Sequence, residues 1–183
     1  MRITGGSFGG RNLVVPGNCD IRPTQDRVRE ALFSMLQTVV PGAKVLDLFA
    51  GTGAFGLEAL SRGAAEVELV ERNPKHAEIV RRNLALVQAE ARVTVMDAYR
   101  YIETYAGGGF DVVFADPPYA LGAEKGYAHV LETLKARGTV RPGGLFIAEM
   151  TAVQRAEDTP GWELLRDRTY GKTRICIWRN LDA

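Results

Sequence analysis

A doubly wound, mostly parallel α/β sheet is the fold class that this 183-residue sequence predicts. Three observations predict it. From Lys44 onward, short apolar runs alternate strictly with helical stretches, the pattern of parallel strands with helices on both faces. A glycine-rich loop, "GTGAFG" at 51–56, directly follows the first of those runs, where a tight strand-to-helix turn needs residues without a Cβ. The last two apolar runs are joined only by Gly171-Lys172, which points to an antiparallel hairpin at the sheet edge.

The elements follow in chain order. "RITGGSFGGRNLVVP" sets short β-prone pieces between glycine pairs and predicts a small N-terminal hairpin, an appendage to the body. "RPTQDRVREALFSMLQTVVPG" predicts a helix with Thr24 as N-cap, a stripe of Val28, Leu32, Met35 and Val39, and a stop at Pro41-Gly42. Residues 1–40 are thus an extension of hairpin and helix, and 41–183 form the α/β domain. In that domain the strands are "KVLDLF" (44–49), "VELVE" (67–71), "RVTVM" (92–96), "FDVVFA" (110–115) and "GLFIAE" (144–149). "WELLRDRTY" and "TRICIWR" add the hairpin, for seven strands in all. The clearest helix is "NPKHAEIVRRNLALVQ", with Asn73 as N-cap, Pro74 at the first helical position, and Ala77, Val80, Leu84 and Val87 on one face.

Composition narrows the class. Cys19 and Cys176 have no C-x-x-C spacing, so neither a metal site nor a redox pair is expected. The N-terminus carries no apolar signal-like run, and nowhere do 18 apolar residues run together, so a cytoplasmic protein with no membrane span is expected. Net charge is +1, which by itself argues for no nucleic-acid partner. Residues 1–29 nevertheless hold five arginines (Arg2, Arg11, Arg22, Arg27, Arg29) against Asp20 and Asp26, a locally basic arm that reads either as a solvated face or as a nucleic-acid contact.

Gly51, Gly53 and Gly56 form a G-x-G-x-x-G, and Glu71 ends the next strand, 20 residues after Gly51, placed to accept from ribose hydroxyls. A nicotinamide dinucleotide and S-adenosylmethionine share that ribose. Asp47, four residues before Gly51, separates them: its charge repels a pyrophosphate and suits an ammonium and a sulfonium. Asp97 and the Ala98 N–H follow the third strand, where they suit an adenine edge; helix capping is the competing role for Asp97. Asp47, Glu71, Asp97 and Asp116 all fall at carboxyl ends of strands, where open α/β sheets bind ligands.

The fourth strand ends in "DPPY". Pro117 restrains Asp116 to extended geometry, and Pro118 restrains Pro117. Neither proline has an N–H, so the Asp116 carboxylate and the Pro117 carbonyl form a surface that only accepts hydrogen bonds, while Tyr119 offers a flat face for stacking. Such a pocket fits a planar base with an exocyclic amine. Accepting that amine's protons turns its lone pair toward an incoming methyl group. Guanine's two neighbouring donors fit the acceptor-only surface; adenine N6 stays open as the alternative.

These residues resemble a class I S-adenosylmethionine-dependent methyltransferase. The whole chain is similar to the RsmD family, through "RITGGSFGGRNL", "RPTQDRVREALF", "VLDLFAGTGAFGLEALSRGA", "VELVERN", "DPPY" and "YGKTRICIWR". The resemblance implies a seven-stranded Rossmann-like methyltransferase fold that methylates the N2 amine of a guanine in 16S ribosomal RNA. It also implies a monomer acting on an assembled or partly assembled small subunit. Asp47, Gly51 and Gly53 would hold the methionine end of the cofactor, Glu71 the ribose, and Asp97 with Ala98 the adenine. Asp116, Pro117 and Tyr119 would hold the target base; Arg22, Thr24, Arg27 and Arg29 would line the RNA side. His76 and His129 receive no role. A nicotinamide-dependent dehydrogenase and a cofactor-binding protein without catalysis are the rival readings, and neither gives "DPPY" a purpose.

Overall fold

The computed structural model describes residues 1–15, 26–117 and 119–181, with backbone alone for 119–126. The chain divides into two compact units, Met1–Ala98 and Tyr99–Ala183.

The first unit holds α1 (Asp26–Met35), β1 (Lys44–Asp47), α2 (Ala54–Ser61), β2 (Glu66–Glu71), α3 (Pro74–Leu86) and β3 (Arg92–Val95). Its strands lie in the order β3-β2-β1, all parallel, with Asp47 opposite Leu69 and Glu71 opposite Val95. Paired residues of parallel strands share a face and side chains alternate, so Asp47 and Glu71 project from the same face. The α3 prediction holds: the Asn73 side chain accepts from the Lys75 N–H at 3.0 Å, and Ala77, Val80, Leu84 and Val87 are all buried. In α1 the buried stripe is Val28, Leu32 and Phe33, continued by Leu36, whereas Met35 and Val39 are only half-buried. The helix ends at Met35, so Val39 was never on its face.

The N-terminal segment is no appendage. Arg2 and Asn12 form an antiparallel bridge, and the Ile3 N–H bonds the Arg11 carbonyl at 3.0 Å. The loop between them is fastened to α2: the Ser7 N–H reaches the Ser61 carbonyl at 2.7 Å and the Phe8 N–H the Ser61 Oγ at 2.8 Å. Gly6 makes this approach possible. Its φ is +75°, and a Cβ there would lie 1.9 Å from the Ser61 carbonyl oxygen.

The second unit carries α4, whose span Ala98–Thr104 begins at the boundary, then β4 (Phe110–Ala115), α5 (Tyr119–Ala136), β5 (Val140–Thr151), β6 (Trp162–Tyr170) and β7 (Thr173–Asn180). Strands run β4-β5-β7-β6: β4 pairs parallel with β5, and β7 runs antiparallel to both neighbours, so the expected C-terminal hairpin is present. With three strands in the first unit and four here, the predicted seven are all found. β5 begins earlier than its apolar run because Val140 pairs with Phe110 before an irregularity; regular pairing resumes at Leu145 opposite Val112. Gly143, at φ 74°, absorbs the distortion. Phe146, Trp178, Tyr127 and Trp162 form the aromatic core, with Phe146 and Trp178 centroids 5.7 Å apart. No helix among the described residues is long and apolar enough to cross a membrane.

Candidate functional site

Asp47 ends β1 and is 1% exposed. Its Oδ2 accepts from the Gly56 N–H at 3.3 Å, in the first turn of α2, while Oδ1 has no hydrogen-bond partner among the described residues. Burial pushes this carboxyl up to about 7, against the lowering effect of the Gly56 and Phe49 backbone groups; the Glu71 charge raises it further. A buried acceptor left unsatisfied is costly and is what a nearby cation would relieve. The sequence places Asp47 toward the crevice at the strand ends; in the structure its side chain is buried, a low-dielectric setting in which any charge nearby is felt strongly.

The glycine loop is clamped to β2. The Ala50 N–H bonds the Val70 carbonyl at 3.0 Å, and the Gly51 N–H bonds Glu71 Oε2 at 2.9 Å. Gly51 and Gly53 take φ of 56° and 80°, and a Cβ on Gly53 would lie 2.7 Å from Leu57 Cδ1. Gly56 has a different purpose: a Cβ there would lie 2.7 Å from Leu69 Cδ2, so its absence lets α2 pack closely on β2. Glu71 Oε1 accepts from the Asn73 N–H at 2.8 Å, and each Glu71 oxygen keeps a further lone pair for a hydroxyl. His76, left without a role by the sequence, brings Nδ1 to 3.8 Å from Glu71 Oε1. Asp97 is exposed two residues beyond β3, and Ala98 is buried at the start of α4. An adenosyl ligand carrying positive charge fits this donor and acceptor set: an orphaned carboxylate oxygen, an acid at the neighbouring strand end, and a loop without Cβ atoms.

Two buried polar hubs of this unit lie mostly beyond what the sequence pattern shows. Glu58 of α2, 0% exposed, accepts from the Thr4 N–H and hydroxyl, each at 2.7 Å, from the Gly5 N–H at 2.9 Å, from Arg62 Nε at 2.8 Å and from Arg29 Nε at 3.3 Å. Asn83 of α3, also 0% exposed, accepts from the Val14 N–H at 2.8 Å and donates to the Val14 and Thr52 carbonyls at 3.1 and 2.9 Å. Thr52 in turn donates its hydroxyl to Met1 Sδ at 3.2 Å. Both ends of the N-terminal hairpin therefore bear on the glycine loop. Only the i,i+4 pair Glu58 and Arg62 left a sequence signal.

In the second unit Asp116 follows β4, half-buried, between buried Ala115 and buried Pro117. Burial first, then the Asp116 charge, with smaller effects from Tyr99 and Glu149, holds the Tyr127 hydroxyl well above its ordinary range. Tyr127 thus stays a donor, and it bonds the Glu149 carbonyl at 2.9 Å. Tyr119 opens α5, its side chain outside the described residues, as is Pro118.

On the arm, Arg22 and Thr24 lie outside the described residues. Arg27 is exposed. Arg29 corrects an expectation: it is 1% exposed and commits its guanidinium to Glu58, to Asp26 at 3.0 Å and to the Arg2 carbonyl. On a helix, residues two apart point about 200° from each other, so one faces the body when the other faces water. Arg29 braces the arm and does not line an RNA surface.

Comparison with known proteins agrees with this geometry. The family model described as conserved hypothetical protein 95 matches residues 1–179. Ribosomal RNA small subunit methyltransferase D of Escherichia coli (strain K12) is 37% identical over 181 residues, 98% of this chain and 89% of that protein. A Bacillus subtilis (strain 168) protein, YlbH, described provisionally as an rRNA methyltransferase, is 34% identical over 98% of both chains. Among solved structures, yhhF of Escherichia coli, described provisionally as a methyltransferase, superposes with a TM-score of 0.88 at 32% identity, covering 100% of this chain and 99% of that one.

Proposed function

The chain belongs to the conserved hypothetical protein 95 (RsmD) family, and from that premise we propose that it methylates the exocyclic N2 amine of a guanine in 16S ribosomal RNA, using S-adenosylmethionine. The observation that carries the reading is the buried Asp47 carboxyl at the end of β1, beside a glycine loop bonded to the acid at the next strand end. That set favours a cationic adenosyl ligand over a pyrophosphate, and so disfavours a nicotinamide-dependent oxidoreductase.

Bound S-adenosylmethionine supplies a methyl group already activated on a sulfonium. The residues of this chain bind, orient and accept. Asp47 offsets the cofactor's positive charge, Gly51 and Gly53 admit its methionine end, Glu71 takes ribose hydroxyls, and Asp97 with the Ala98 N–H reads the adenine edge. Asp116 and the Pro117 carbonyl accept hydrogen bonds from the two N–H groups of the target amine, directing its lone pair toward the methyl carbon; as the N–C bond forms and the C–S bond breaks, one amine proton is released toward Asp116 and solvent, and Tyr119 stacks on the base. Alignment of donor and acceptor supplies most of the remaining rate gain. Residues 1–40 form the RNA-side arm of a 41–183 catalytic domain, with Arg22, Thr24 and Arg27 toward the RNA. The protein acts as a cytoplasmic monomer on an assembled or partly assembled small subunit.

The test is transfer of labelled methyl from S-adenosylmethionine to small-subunit particles and to their naked RNA, followed by nucleoside mass spectrometry. Label in N2-methylguanosine is expected. Label in N6-methyladenosine would move the target to adenine, and no label in either would overturn the reading.

A further inference from the structure

Beyond β5, residues 151–154 form a turn held from four directions. Gln154 Oε1 accepts from the Thr151 N–H at 2.8 Å and its hydroxyl at 3.0 Å, the Gln154 N–H bonds the Thr151 carbonyl at 3.1 Å, and the Ala152 N–H bonds the Lys172 carbonyl at 3.0 Å. Arg174, whose guanidinium is also bound to Asp167, donates to the Gln154 carbonyl. A turn so braced would ordinarily point polar atoms at water. This one presents Val153, 89% exposed, the most exposed large apolar side chain among the described residues.

Its position matters. β4 and β5 are parallel with Ala115 opposite Ala148, so Asp116 lies level with Glu149, and the turn rises just past the strand end at which Asp116 sits. Four residues span at most ~14 Å, which keeps Val153 within reach of nucleotides flanking a base held at Asp116. Two cations accompany it. Arg155 and Lys172 are exposed, and neither is in an ion pair among the described residues, whereas Arg174 beside them is committed to bracing the turn.

We propose that this turn is a second RNA contact of the enzyme: Val153 wedges against an unstacked base next to the target, and Arg155 and Lys172 hold the adjoining phosphates. The inference rests on the methyltransferase reading above and deepens it. A single apolar tip flanked by exposed cations suits a base step and its backbone, and is far smaller than the ~800 Å² per partner of a stable protein interface.

The experiment compares Val153→Ala, Val153→Asp and the double variant Arg155→Ala/Lys172→Ala with wild type, measuring affinity for small-subunit particles and for their naked RNA at several salt concentrations, kcat/KM for methyl transfer to particles, and S-adenosylmethionine affinity. Val153 is so exposed that its replacement leaves folding intact. Expected are losses in RNA affinity and kcat/KM of roughly threefold for Val153→Ala and roughly ten- to a hundredfold for Val153→Asp. Cofactor affinity should stay within about twofold, and the salt slope of the double variant should fall by about 1.4 to 1.8. Wild-type affinity and slope in all variants, on particles and on naked RNA alike, would overturn the inference alone, as would losses on particles with an unchanged salt slope in the double variant, which would assign the turn to a protein partner. Absence of methyl transfer by wild type would instead overturn the underlying reading.

Discussion

Two carboxylates at the ends of parallel strands, Asp47 of the first unit and Asp116 of the second, have opposite surroundings. Asp47 is sealed, bonded through one oxygen to the first turn of α2 and pushed up to about 7 by burial. Asp116 is half-buried, between a strand and two prolines. A sealed carboxylate meets a neighbouring charge in a low dielectric, whereas a half-buried one is partly screened by water. The same division recurs in two arginines of α1: Arg29 is buried against Glu58, and Arg27 faces water. In each pair one residue is closed off by its neighbours while its counterpart is partly or fully exposed.

The division is broken most forcefully on the sealed side. Arg29→Ala removes a buried partner of Glu58, and breaking a buried pair typically costs about 3–5 kcal/mol. Arg62 and the Thr4 and Gly5 N–H groups remain on Glu58, which favours the lower end. Urea unfolding should show the loss; unchanged stability would mean that Arg29 is not the brace described.

Next comes the half-open acid. Asp116→Ala should lower methyl transfer by roughly two to three orders of magnitude, the scale for one positioned electrostatic contact, with S-adenosylmethionine affinity near wild type. Asp116→Asn keeps one acceptor and adds a donor toward the amine, so it too should be slow. An asparagine variant as fast as wild type would remove the acceptor-only surface from the mechanism.

Asp47 sharpens the comparison through pH. A carboxyl whose pKa is higher in the folded chain than in the unfolded one keeps its proton longer when folded, so its contribution to stability declines as pH rises from about 4 to about 7 and is level on either side. A cationic ligand prefers the ionised form. S-adenosylmethionine should therefore bind more tightly as pH rises from about 6 to about 7.5, by at most about tenfold per unit. Asp47→Asn should flatten that dependence, weaken binding, and make the ligand-free protein less sensitive to pH over the same window. Calorimetric titration across pH checks all three, and a steep dependence surviving in the variant would transfer the effect to another group.

What the sequence made legible follows the same line between local and distant. β4 matches its predicted span Phe110–Ala115, and α3 matches its cap and its face, because period and capping are properties of neighbouring residues. The nearness of the glycine loop to Glu71 was likewise readable, since a strand–turn–helix–strand unit brings positions 20 residues apart together. The hubs were not. Glu58 meets Thr4 across 54 positions and Asn83 meets Val14 across 69, and no period connects such partners. The stripe of α1 was misread because its helix stops at Met35, beyond which Leu36 and Val40, not Val39, are buried. His76 beside Glu71 was missed because a cap at Asn73 already explained the turn between them.

The smallest expected effect is at Arg27. If the arm meets RNA, Arg27 is its described arginine that faces outward from α1, one position past the acid that pairs with Arg29. A phosphate contact contributes through counterion release, so Arg27→Ala should weaken RNA binding across sequences and reduce the salt slope by about 0.7 to 0.9, while leaving stability within about 0.5 kcal/mol. Arg29→Ala provides the contrast when assayed where it remains folded: it should cost stability and leave the slope of the folded fraction close to wild type. Binding of small-subunit RNA between about 50 and 200 mM salt separates the two. A slope change at Arg29 without one at Arg27 would reverse their assignment, which would require the buried guanidinium to leave Glu58 when RNA binds. The wild-type slope in Arg27→Ala would make that face of α1 a solvated surface and shift RNA entry away from the helix.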